Sequence, residues 1–136
     1  MLAAALLLLA AAQPSGGCAI MVTAKADSSF AEAGYEAGPQ RLARLAETTR
    51  ERFAAAARKL CAVGTLRPAD LARFRTLIVQ NGEGASDPVI FREPAMGRGV
   101  FIFQYAFQNG NPPPAASFEE ALRCWKKPER AGCFED

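Results

Sequence analysis

The chain has 136 residues, 50% of them hydrophobic, and 16 Lys and Arg against 14 Asp and Glu give a formal charge of +2. That is the length of one domain, and the apolar content is too high for a disordered chain. Histidine is absent, which excludes Ser-His-Asp and Cys-His catalysis and every metal motif built on imidazole.

Residues Leu2 to Ala12 form an unbroken Leu/Ala run. As a helix, such a run reaches about 16 Å, roughly half the hydrocarbon thickness of a bilayer, so a signal-peptide core fits better than a membrane span. No Lys or Arg precedes it, and a buried Ala/Leu helix is the competing reading. Residues 1–26 are thus expected to be a signal peptide, or a lipoprotein signal with a short tether, and residues 27–136 a single domain. Three cleavage points compete. Ala24-Lys25-Ala26 has the small-x-small pattern, Ser15-Gly16-Gly17-Cys18 resembles a lipobox and makes Cys18 a lipidation candidate, and a cut after Ala12 leaves a short signal. Lipidation would tether the domain to a membrane surface.

In an exported chain Cys61, Cys124 and Cys133 are disulfide candidates, joined by Cys18 if it remains a thiol, with three pairings open. Cys124 and Cys133 bracket Pro128 and Gly132 and can close a short loop, while Cys61 can instead reach either of them from a helix. Zinc is disfavoured, because no Cys-x-x-Cys pair exists and the candidate ligands are scattered. No metal or other cofactor is expected.

The elements follow in order. Residues 27–38 read as a loop or short helix with Ser28 or Ser29 as cap. A helix over 39–63 is marked by Leu42, Leu45, Ala46, Thr49, Phe53, Ala56, Ala57 and Leu60 at three- and four-residue steps, with Pro39 in its first turn and Gly64 as its stop. A second helix over 68–79 starts at Pro68, with Asp70 in its first turn and Leu71, Phe74, Leu77 and Ile78 as its stripe. Asn81 to Pro88 is loop. Val89 to Phe91 and Val100 to Phe107 read as strands, the second placing Phe101, Phe103, Tyr105 and Phe107 on one face. That aromatic face reads as core ahead of a stacking platform for bases or sugars. After a Pro-rich linker, Ser117-Phe118-Glu119-Glu120 reads as a capping box opening a last helix that Pro128 ends. The expected architecture is an α+β domain, with two central helices and a C-terminal helix packed on a short two-stranded β-ribbon.

Charge is the most informative functional signal. Between Arg41 and Arg75 nine Lys and Arg stand against three acids, while residues 27–40 are acidic. The expectation is an exported, non-catalytic binding or interaction domain of the periplasm or cell envelope. Arg41, Arg44, Arg52, Arg58, Lys59, Arg73 and Arg75 would offer a basic helical face to a membrane surface or an acidic envelope partner. A solvated arginine-rich surface without a specific partner is the competing reading.

Two alternatives come from other classes. One is a carboxylate-dependent periplasmic hydrolase using Glu83, Asp87 or Glu93. The other is a cytosolic nucleic-acid binder starting at Met21, with Arg73 and Arg75 on a helix-turn-helix-like second helix and its cysteines reduced. Export weighs against the latter. The oxygen-rich loop 81–87 lacks the Asp/Asn spacing and closing Glu of an EF-hand, so a glycine-rich turn is preferred to a calcium site.

Overall fold

The computed structural model describes residues 17–32, 38–82, 87–107 and 110–133. The apolar tract 2–12, Glu83 and most of the oxygen-rich loop lie outside them. In chain order the elements are β1 (Thr23–Ala26), α1 (Ser29–Glu32), α2 (Pro39–Ala62), α3 (Pro68–Arg73), β2 (Thr76–Asn81), β3 (Val89–Arg92), a 3-10 turn (Pro94–Met96), β4 (Val100–Tyr105) and α4 (Ala115–Lys126).

The strands form one mixed sheet in the order β1-β2-β4-β3. β1 runs parallel to β2, β2 parallel to β4, and β3 antiparallel to β4. The expected ribbon exists as the β3–β4 pair, but two parallel strands extend it, so the mixed α/β class holds while the sheet is twice as wide. Residues 68–79 are a short helix followed by a strand. Leu77, Ile78 and Val79 are all buried, as consecutive residues of an inner parallel strand covered on both faces must be. The helical spacing of Leu71, Phe74, Leu77 and Ile78 is therefore coincidental; Phe74 caps α3, and the backbone then extends. With a second helix of only six residues, the helix-turn-helix resemblance is gone.

β1 corrects the domain boundary. Its register sets Thr23 against Thr76 and Ala26 against Val79, and Val22 beside it is 5% exposed. Cleavage after Ala26 would remove this edge strand, so the folded unit begins before Asp27.

The register sorts the sheet into two faces. Ala24, Leu77 and Phe101 form one row, and Ala26, Val79, Phe103 and Ile90 the next; both face the helices, with Ala24 and Ala26 half-buried against a core to which the others belong. Phe74 lies 4.4 Å from Phe101 and 5.0 Å from Phe53 between ring centroids, and Phe103 stacks on Phe118 at 4.8 Å. Phe101, Phe103 and Phe107 are therefore core, Tyr105 is half-buried, and the strand ends at Tyr105. The other face carries a polar ladder: Gln104 Nε2 donates to Gln80 Oε1 at 2.6 Å and Gln80 Nε2 to Asp27 Oδ2 at 3.1 Å. Gly82 is needed here, since a Cβ there would stand 2.5 Å from Gln104 Cγ.

α2 supplies most of the helical half of the core, burying Leu45, Ala46, Thr49, Phe53, Ala54, Ala56, Ala57, Leu60 and Cys61. Pro39 opens it and Gly64, at φ 83°, closes it, with Thr65 N–H donating to the Leu60 carbonyl at 2.9 Å. α4 runs parallel to α2. Arg52 donates to the Pro113 carbonyl at one end, Lys59 pairs with Glu119 midway, and both helices finish at the same side of the domain. Ser117 is not the expected cap. α4 starts at Ala115 behind Pro114, so Ser117 lies within the first turn, and Glu119 and Glu120 bind cations instead.

Two disulfides tie the chain, Cys18–Cys61 with Cα atoms 5.7 Å apart and Cys124–Cys133 at 5.4 Å. They fit an oxidising, extracellular-type environment. Among the described residues no helix is long and apolar enough to cross a membrane. The Cys18 sulfur is bonded to Cys61, and a sulfur so engaged cannot carry a thioether-linked lipid. Lipidation at Cys18 is thus incompatible with this structure, and Cys61 does not reach Cys124 or Cys133.

Candidate basic surfaces

The seven basic residues singled out from sequence do not form one site. On α2, Arg41, Arg44 and Arg58 are exposed and make no ion pair among the described residues. Helical geometry places Arg44 and Arg58 about 40° apart on the outward side of α2 and some 21 Å apart along it at ~1.5 Å per residue, with Arg41 about 60° round from Arg44 at the ridge's edge. Glu51 interrupts the ridge, and Glu47 is occupied by Arg50. The Arg50 guanidinium beside Glu47 holds that carboxyl below its ordinary range, chiefly through their hydrogen bonds. Arg52 and Lys59 point toward α4 and are engaged there.

Arg73 and Arg75 lie elsewhere. Arg73 ends α3, its Cζ standing 5.1 Å from the centroid of the Trp125 ring, a cation–π contact. Arg75 leads into β2, where its side chain stands against Gly99 at φ 77°. Its backbone carbonyl accepts from Thr23 N–H at 3.0 Å. Both contacts are structural.

Asp70 is the one buried acid among the described residues, 7% exposed. Its carboxylate accepts the Arg67 N–H at 2.8 Å, satisfying a free donor at the start of α3, and binds Lys126 Nζ at 2.8 and 2.9 Å. Burial pushes its pKa up, but the Lys126 and Arg67 hydrogen bonds and the charges of Lys126 and Arg73 outweigh burial, leaving it below the ordinary value. The pair pins α3 to the last turn of α4.

A feature with little signal in the sequence lies where α2 and α4 end. Gly64 and Thr65 on one side and residues 123–130 on the other enclose an open cleft of about 620 Å³. Arg123, Lys126, Lys127 and Arg130 line it, with Glu129 the acid among the lining residues. Glu120 binds Arg123 at 3.4 Å and Arg130 at 2.6 Å, and Glu119 binds Arg123 at 3.6 Å. In sequence its signal is four cations within eight residues beside two cysteines nine apart, weaker than the larger charge excess between Arg41 and Arg75.

Of the acids proposed for hydrolysis, Glu83 lies outside the described residues, and Asp87 and Glu93 are not brought together. Asp87 is exposed ahead of β3 and Glu93 half-buried behind it, so the strand's length, roughly 13 Å at about 3.3 Å per residue, lies between them. That exceeds the spacing of paired glycosidase carboxylates. Glu120 lies near Cys124 and Cys133, but sulfurs bonded to each other offer no thiolate to a metal. No protein-family model, no curated protein and no solved structure matches this chain.

Proposed function

We propose that the chain is an exported, non-catalytic binding domain whose α2 ridge engages an extended anionic partner. The observation that carries this reading is the set Arg41, Arg44 and Arg58, exposed and without ion pairs among the described residues. Cations left unpaired along a straight helix cost little at a solvated surface, and they raise encounter rates with a negatively charged one. Their spread favours a surface or polymer over a compact ligand, since no small anion spans about 21 Å. The two disulfides support an oxidising compartment. Processing, on this reading, leaves Cys18 and β1 in the mature chain.

The test is co-sedimentation with vesicles. Phosphatidylcholine containing phosphatidylglycerol should retain the protein, phosphatidylcholine alone should not, and retention should fall steeply with added salt. Arg41→Glu/Arg44→Glu/Arg58→Glu should lose it. Equal retention on neutral vesicles, or no loss in the triple variant, would reject the ridge. Intact mass of the natively processed protein tests export, because a chain still bearing residues 2–12 with four free thiols contradicts it.

A further inference from the structure

The geometry points to a second, separate site: we propose that the cleft between the α2–α3 turn and the Cys124–Cys133 ring binds a phosphate monoester. Four cations line one wall of it, Arg123 and Lys126 in the last turn of α4 and Lys127 and Arg130 in the segment that follows, facing Gly64 and Thr65. Three of them are fixed from behind by carboxylates: Arg123 and Arg130 by Glu120, Lys126 by Asp70. Their side chains remain 31–44% exposed. A guanidinium has five N–H donors and an ammonium three, so one or two bonds to a supporting acid leave donors free. Lys127 has no ion pair among the described residues. Cations already oriented by supporting groups lose little freedom on binding.

The class of ligand follows from number and direction. A carboxylate offers two oxygens in one plane, and a single arginine satisfies it. Four cations side by side on one wall offer more N–H donors than a carboxylate can accept, and suit a tetrahedral group with three terminal oxygens. At about 620 Å³ the cleft has the size of a small-molecule pocket and leaves room for the organic part of an ester.

Net field is not the driving term. α2 and α4 both end at the cleft, each contributing about half a negative charge, and Glu129 adds another. With Glu119, Glu120 and Asp70 already paired to the cations, these offsets leave the cleft without net positive charge, so recognition rests on directed hydrogen bonds at contact. The ring supplies the alignment, because Lys127 and Arg130 both lie between the bonded cysteines.

The full oxidised chain would be titrated with glycerol 3-phosphate and followed by backbone amide NMR. Glycerol plus acetate serves as control, and vesicles containing phosphatidic acid form a second arm. Saturable shifts at Lys127, Arg130 and Thr65 are expected with the ester and not with the control. Lys127→Ala/Arg130→Ala should weaken binding tenfold or more, the scale of a lost charged hydrogen bond. Cys124→Ser/Cys133→Ser should weaken it several-fold while the sheet resonances stay in place. Arg44→Glu/Arg58→Glu should bind the ester as wild type does, which separates this site from the ridge. Binding to the soluble ester assigns a free metabolite, and binding confined to phosphatidic acid vesicles but lost in Lys127→Ala/Arg130→Ala assigns a lipid headgroup; either supports the site. No saturable shift in either arm, equal shifts with the control, or wild-type affinity in Lys127→Ala/Arg130→Ala would overturn it.

Discussion

The two disulfides stand in contrasting surroundings. Cys61 is 7% exposed within the main core, and its bond to Cys18 spans 43 residues, holding the segment that leads into β1 against the end of α2. Cys124–Cys133 closes a separation of nine at the end of α4, where residues 127–132 are exposed. One bond constrains the fold, and the other constrains the surface on which four cations meet. Similar chemistry therefore serves cohesion in one region and presentation in the other, and the difference is measurable.

Removing the first bond should have the largest effect. In the chain-entropy picture Cys18→Ser/Cys61→Ser loses roughly 4 kcal/mol, read as a shifted urea midpoint, with β1 amides exchanging fastest. Cys124→Ser/Cys133→Ser should lose roughly 2.5 kcal/mol or less by the same relation, with sheet exchange unchanged. Equal losses, or faster β1 exchange in the second variant, would erase the contrast.

Asp70 sharpens it further, since it joins α3 to the helix that carries the ring. Asp70→Asn should cost about 1.5–3 kcal/mol at neutral pH. Its folded pKa is depressed, so its contribution is complete above the unfolded carboxyl range and is lost as pH falls through the lower folded value. The gap between wild type and variant should therefore begin to narrow below about pH 4 and go on narrowing as pH falls through the lower folded value. A gap that did not narrow at all between pH 7 and pH 2 would show that the ion pair is not its source.

Smaller effects follow at the sheet and the ridge. Gly82→Ala should cost on the order of 1 kcal/mol by displacing Gln104 and opening the Gln104–Gln80–Asp27 ladder. Arg44→Glu should leave stability within about 0.5 kcal/mol, as expected of an unpaired surface cation.

Legibility in the sequence tracked how each element is buried. α2 was readable almost to the residue because one face is wet, so the 3.6-residue stripe stands out, and Pro39 and Gly64 mark its ends. β4 was readable because aromatics alternate along it. β2 was not: Leu77, Ile78 and Val79 are buried on both faces, which erases the alternation that identifies a strand. Its β-branched pair Ile78-Val79 was the signal available. β1 was hidden for another reason. Thr-Ala-Lys-Ala has little strand preference of its own, its place is set by pairing with a segment some fifty residues on, and its Ala-Lys-Ala reads equally as a cleavage motif. The cationic set reads as one face because sequence clusters charges by position, whereas the fold distributes them among the α2 ridge, the α2–α4 seam, Trp125 and the start of β2.

The order in which the sulfurs pair has a consequence for how the molecule is made. Each cysteine joins the next one to appear along the chain, first with second and third with fourth. A polypeptide delivered N-terminus first thus meets only its correct mate at each stage: Cys18 and Cys61 are together before Cys124 exists. An oxidant acting during emergence would form the native bonds without a later shuffling step, and β1 would wait, already moored, for β2 to arrive.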